Sequence, residues 1–261
     1  MATLAQAVAS HLPSVYNFCS RMTLDRAEAE KATFETFQRA ATGEIPGLDG
    51  AQLEQWLLKI AAHVAEKRLP AEPEVDFDLL DDTLRSEATR THEVSSLTAP
   101  EREFLLWELK QGCMTAVINC LSPGERVAFV LSSVIGKSDA DAAQLLDIKE
   151  GAFKVRLSRA RQKVADYLAP RCEHVNPSNP CHCPSRIGVA LNKGFIAPPS
   201  SGQTVQLRNP RPFSEEPKSH DAVNIFRTLP PQAVPATLVA QLNQAVTSGK
   251  WPTIAAGSTT K

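Results

Sequence analysis

The sequence predicts an all-α protein: two small helical domains joined by an acidic linker, the second a helix-turn-helix, followed by a Pro-rich C-terminal extension. Three observations predict it. Apolar residues recur at three- and four-residue intervals through 4–69 and 101–169, the period of helices with one buried face. Charge is segregated: Glu72 to Glu108 holds 11 acidic and 3 basic residues, Lys149 to Arg171 holds 7 basic and 2 acidic. Proline is segregated too, with 13 of 19 lying after Leu168. The divisions are 1–70, 71–100, 101–170 and 171–261, in a chain of 261 residues that can bury one sizeable core or two small ones. The net charge of -1 makes no case for nucleic acid over the whole molecule, but a basic segment can bind a polyanion locally.

In the first region, Val8, Leu12, Val15 and Phe18 mark one helix, and Ala29, Thr33, Phe34 and Phe37 a second that Asp25 and Glu28 cap. Pro46, Gly47 and Gly50 mark a loop, and LEQWLLKIAAHVAEKRL gives a third helix ended by Pro70, with Trp56, Leu57, Ile60, Ala61 and Val64 inward. The stretch LPAEPEVDFDLLDDTLRSEATRTHEVSSLTAP reads as exposed acidic linker with a short helix near Phe77 to Leu84. Its charge would repel DNA and can mask a basic surface.

Beyond the linker, Glu101 to Asn119 reads as one helix and LSPGERVAFVLSSVIG as the next, with Ser122 capping, Pro123 first and Glu125 third. Ser138 then caps a short helix burying Ala142, Ala143 and Leu146. Asp147 to Lys149 form a tight turn, and a second helix from about Glu150 buries Ala152, Phe153, Leu157, Ala160 and Val164. Two short helices, a three-residue turn and small alanines at the crossing make a helix-turn-helix. Lys149, Lys154, Arg156, Arg159, Arg161 and Lys163 lie on its outward side. Lys149, Lys154 and Arg156 are placed for bases or adjacent phosphates, and Arg159, Arg161 and Lys163 for backbone.

The stretch LSPGERVAFVLSSVIGKSDADAAQLLDIKEGAFKVRLSRARQKVADYL resembles the promoter-reading C-terminal domain of the extracytoplasmic-function (ECF) sigma factors of bacterial RNA polymerase. The resemblance implies that the second helix reads the minus 35 element. DRAEAEKATFETFQRA resembles the sigma helix that docks on the coiled coil of the largest polymerase subunit, which assigns Glu30, Glu35, Phe37 and Arg39 to polymerase binding. LEQWLLKIAAHVAEKRL resembles the helix that engages the minus 10 element, where the family carries several arginines and this chain offers His63, Lys67 and Arg68. The implied partners are core RNA polymerase and promoter DNA, with an anti-sigma protein as a further one. The alternative is a helix-turn-helix regulator of sigma-like fold that does not initiate, and the thin basic content after His63 favours it.

Directly after the helix-turn-helix, RCEHVNPSNPCHCPSRI places Cys172, His174, Cys181 and Cys183 together. Three thiols and an imidazole are the donor set of a closed zinc site, so zinc is the candidate cofactor although the sigma role requires none. The alternatives are His182 in place of His174, regulatory thiols favoured as thiolates by Arg171 and Arg186, and no special chemistry. Cys19, Cys113 and Cys120 read as small core residues. In the tail, VNIFRTL reads as a short strand and ATLVAQLNQAV as an amphipathic helix that pack back on a sigma domain.

No Walker loop, dinucleotide fingerprint, H-E-x-x-H or G-x-S-x-G occurs, so an enzyme is not expected. No run approaches the roughly 18 apolar residues of a membrane span. MATLAQAVASHLPSV lacks the order of a secretory signal, which makes the cytoplasm the expected location.

Overall fold

A computed structural model describes residues 4–42, 50–73, 75–85, 97–198, 213 and 221–248. The first three helices, α1 (Leu4–Met22), α2 (Arg26–Thr42) and α3 (Gly50–Arg68), pack on one another around Val15, Phe18, Phe37, Leu57, Leu58 and Ala61. Asp25 starts α2 as expected: its carboxylate accepts from the Ala27 and Glu28 amides at 2.7 and 3.3 Å, satisfying donors the helix itself cannot.

The linker carries α4 (Phe77–Arg85), and this helix is docked rather than solvated: Leu80 is buried and Phe77 stacks at 5.0 Å on Tyr167. Residues 86–96 of the linker lie outside the described residues. Next, α5 (Ala99–Asn119) opens on a capping box in which Thr98 and Glu101 satisfy each other's amides. Then α6 (Pro123–Phe129) runs into a π-helical turn over Val130–Val134, where the sequence pattern reads as one helix. That turn buries Ser132 and Ser133.

The helix-turn-helix consists of α7 (Asp139–Leu145) and α8 (Glu150–Leu168). Ser138 accepts from the Asp141 amide at 3.1 Å to start α7. Asp147 in the turn has φ of 52°, a left-handed conformation that Asp tolerates better than most residues. Ala142, Ala143, Leu146, Phe153, Leu157, Ala160 and Val164 are buried as expected, but Ala152 is exposed. It lies on the solvent side of α8's first turn.

The first three helices and the helix-turn-helix share one continuous core. Polar ties reinforce it. Arg126 on α6 is buried and donates to the Met22 carbonyl at the end of α1, to Asn119 Oδ1 and to the Asn119 carbonyl, all at 2.7 Å. Lys59 on α3 meets Asp147 in the helix-turn-helix turn at 2.6 Å.

After α8 the chain folds into a compact cysteine loop, then a 3-10 turn (Cys183–Arg186) and α9 (Ile187–Asn192), which cover the first half of α5 around Leu105 and Trp107. The segment Asn224–Thr228 is a 3-10 turn, not the expected strand, and α10 (Ala236–Thr247) packs on α1 and α2. Among the described residues there is no strand, only an isolated parallel bridge between Cys172 and Cys181. No described helix is long and apolar enough to cross a membrane.

Candidate nucleic-acid interface

The recognition surface begins with α8, whose buried stripe against α6 and α7 turns its other side outward. Lys149, Lys154 and Arg159 are exposed there. Lys154 pairs with Glu150 one turn earlier at 2.6 Å, and that hydrogen bond raises the lysine pKa. An exposed pair of this kind is weak, so a phosphate can replace the carboxylate.

The other three predicted cations make contacts within the domain. The Arg156 guanidinium lies about a van der Waals contact from where a Gly124 side chain would stand, over the start of α6. Arg161 turns back to donate to Ser132 and Ser133 hydroxyls at 3.2 and 3.3 Å. Lys163 donates to Glu125 at 2.8 Å. Burial pushes the Glu125 pKa up, but hydrogen bonds from Lys163 and Ser122 outweigh it, and the net shift is down. Arg161 thus braces the domain from a half-buried position, while Lys163 is tied to Glu125 but remains exposed.

The α2 and α3 residues form a second patch. Arg68 bonds Glu35 at 2.7 Å and Glu28 at 3.0 Å, and Arg39 also meets Glu35. Burial raises the Glu35 pKa while the Arg68 and Arg39 hydrogen bonds lower it, for a net decrease. Arg68 is thus tied to α2, whereas His63 bonds the Lys59 carbonyl within its own helix and Lys67 is exposed. Phe37 is fully buried in the core and cannot serve as a surface contact in this conformation. Phe34 takes its place at the surface, lining with Glu30, Glu35, Arg39 and Arg68 a groove whose opposite wall is Gln241, Gln244 and Ala245 of α10.

That groove was not foreseeable, because its wall lies some two hundred residues further along the chain. The tail reaches it by a series of fastenings. Phe226 is fully buried and meets Phe129 edge-on at 4.9 Å. Buried Arg21 donates to the Pro230 carbonyl at 2.9 Å, and the Gln232 amide donates to Asn17 Oδ1 at 3.1 Å. Leu238 and Leu242 of α10 are fully buried.

In the cysteine loop, the Asn-Pro steps do fold its halves together. Asn179 is buried and donates to the Ala169 and Cys172 carbonyls at 2.7 and 2.9 Å. Glu173 and Cys181 pair through their backbones at 3.1 Å. Of the four predicted ligands, His174 Nε2 and Cys183 Sγ meet at 3.5 Å, and the third group with them is the Glu173 carboxylate, not Cys172 or Cys181. Burial pushes the Cys172 thiol up to about 11 and that of Cys183 well above its ordinary value. Desolvation therefore overrides the thiolate-favouring effect expected of Arg171 and Arg186.

A helix-turn-helix with exposed cations at the start of its second helix defines a DNA-reading protein. The family model described as Sigma-70, region 4, matches residues 111–164, which span the end of α5 through most of α8. Over 171 residues the chain is 26% identical to ECF RNA polymerase sigma factor SigE of Mycolicibacterium smegmatis, covering 62% of this chain and 60% of that protein. Over 160 residues it is 29% identical to RNA polymerase sigma factor CarQ of Myxococcus xanthus, covering 61% of this chain and 86% of CarQ. Residues 111–164 therefore match a sigma-70 region 4 domain, and the chain as a whole is similar to two proteins named as sigma factors.

Proposed function

We propose that this protein is a sigma factor that brings core RNA polymerase to specific promoters in the cytoplasm, leaving the chemistry of initiation to the polymerase. Residues 101–170 read the minus 35 element, residues 1–70 bind the polymerase and the minus 10 element, and 71–100 connect them. The observation that carries the reading is the region 4 match falling on a complete helix-turn-helix with Lys149, Lys154 and Arg159 exposed. The relatives' names support a sigma factor reading over the roughly three fifths of the chain that they cover.

The conformation is closed. Two promoter elements set apart along a duplex require readers that can separate, yet α3 and the helix-turn-helix are joined by Lys59–Asp147 and a shared core. At the same time α10 walls the α2 groove. In our reading the 171–261 extension regulates the protein by holding this closed state, and polymerase or an anti-sigma partner competes with it.

Sedimentation of the full chain with bacterial core polymerase tests the proposal. A one-to-one complex that gains promoter affinity is expected. The engagement of Arg68 by Glu28 and Glu35 favours a second reading, a DNA-binding regulator that does not initiate. Promoter binding by the chain alone, with no polymerase complex even after removal of residues beyond 220, selects that second reading.

A further inference from the structure

The cysteine loop plays no part in the DNA or polymerase surfaces, yet it gathers more metal-ligating chemistry than any other place among the described residues. Glu173, His174 and Cys183 offer ligand atoms all within 4.8 Å of one another. The His174 Nε2 to Cys183 Sγ distance is 3.5 Å. Zinc–sulfur and zinc–nitrogen bonds at a tetrahedral angle put sulfur and nitrogen about 3.6 Å apart. The two ligands thus already stand at the edge length of a zinc tetrahedron.

The surroundings hold them there. The Cys183 amide donates to Glu173 at 2.5 Å, and the other oxygen of that carboxylate bonds His182 Nδ1 at 3.0 Å. The His174 ring is buried edge-on against Phe213, with centroids 5.4 Å apart. Cys172 and Cys181 lie in the same fold of the loop, paired by a parallel bridge, and the Glu173 amide donates to the Cys181 carbonyl at 3.1 Å. Cys113 packs against the main core, as its spacing on α5 predicts.

We infer that Cys183 Sγ, His174 Nε2 and the Glu173 carboxylate form a closed site for a borderline-soft divalent cation, zinc by its chemistry, completed by the thiol of Cys172 or Cys181. Sulfur and imidazole donors select zinc over magnesium or calcium. Each ligating thiol exchanges its proton for a metal–sulfur bond, the proton leaving to solvent. The cation ties the loop to itself, and through Phe213 and Trp107, whose rings meet at 5.3 Å, to α5. His182 is exposed and hydrogen-bonded to Glu173, so it supports the carboxylate and is not a ligand.

The test is a cobalt(II) titration of the full, reduced, metal-stripped chain, followed by absorption. One equivalent bound, with thiolate-to-cobalt charge transfer and the intense visible bands of a tetrahedral ion, all bleached by zinc, is expected. His174→Ala and Cys183→Ser lose that equivalent, and His182→Ala keeps it. Of Cys172→Ser and Cys181→Ser, the variant with weakened charge transfer identifies the fourth ligand. Absence of charge transfer in the native chain overturns the site, as does its survival in both His174→Ala and Cys183→Ser. Unaltered charge transfer in both remaining serine variants overturns the completing thiol. Since the native titration and His174→Ala do not depend on Cys183→Ser folding, a misfolded serine variant leaves the test intact. None of these readouts involves DNA or polymerase.

Discussion

Replacing Phe226 by Ala tests whether the tail is a removable strap. Its ring is fully buried against Phe129 at an interplanar angle of 85°. Truncating a buried Phe costs about 3–5 kcal/mol, of which an edge-to-face partner accounts for about 0.5–1.5 kcal/mol. If that cost falls on the docked tail alone, the ratio of closed to open molecules drops roughly a hundredfold or more, since about 1.4 kcal/mol is a factor of ten. Where binding requires the open state, apparent affinity scales with its population. Core polymerase should then bind Phe226→Ala more tightly by up to the same factor in a fluorescence anisotropy titration at fixed salt. Hydrogen exchange checks the mechanism: amides of 224–228 and 236–247 lose protection while those of α1 and α5 keep theirs. A variant with the tail released, helices intact by circular dichroism and affinity unchanged would refute tail control. Loss of protection in α1 together with the tail would refute the strap itself, making the tail part of an indivisible core.

Lys154→Glu and Arg159→Glu should weaken promoter binding while leaving polymerase binding intact. Each should lower the dependence of log affinity on log salt by about one phosphate's worth, a slope change near 0.9; unaltered slopes remove α8 from the interface. Arg126→Ala leaves three carbonyls and an Asn side chain without their donor in the interior, and should destabilise the fold by about 3–5 kcal/mol in urea unfolding. The Glu125 pKa is lowered on folding, so its contribution is complete above the ordinary value of 4.5 and disappears as pH falls through the lower folded value. Glu125→Gln should therefore flatten the acid limb of the stability profile below about pH 4.5 and lower stability at neutral pH. An unchanged acid limb rules this pair out as a source of acid sensitivity.

The helix-turn-helix was legible because its signals are local: caps at Ser122 and Ser138, a turn at Asp147, alanines at the crossing. Periodicity identifies the apolar side of a helix but not which members of it stay at the surface. Phe37 lies on the apolar stripe that periodicity predicts and the fold buries it there, so only the resemblance assigns it to a partner, while Phe34 of the same stripe lines the groove. Ala152 misled, since alanine fits either side of a helix. The roles of Arg161 and Lys163 depend on Ser132, Ser133 and Glu125, roughly thirty to forty residues away in sequence. No spacing rule reports such a contact. In the cysteine loop the turn followed from composition, whereas the nearness of Glu173 to His174 and Cys183 needed three-dimensional proximity.

The bond from Arg21 to the Pro230 carbonyl spans 209 residues. A ribosome adding about 5–20 residues per second takes about 10–40 s to cover that stretch. Throughout that interval the nascent helices α1, α2 and α3 exist without the strand of chain that later lies across them. Newly made molecules therefore pass through an uncovered youth, and closure is acquired only once Pro230 and the residues around it have emerged.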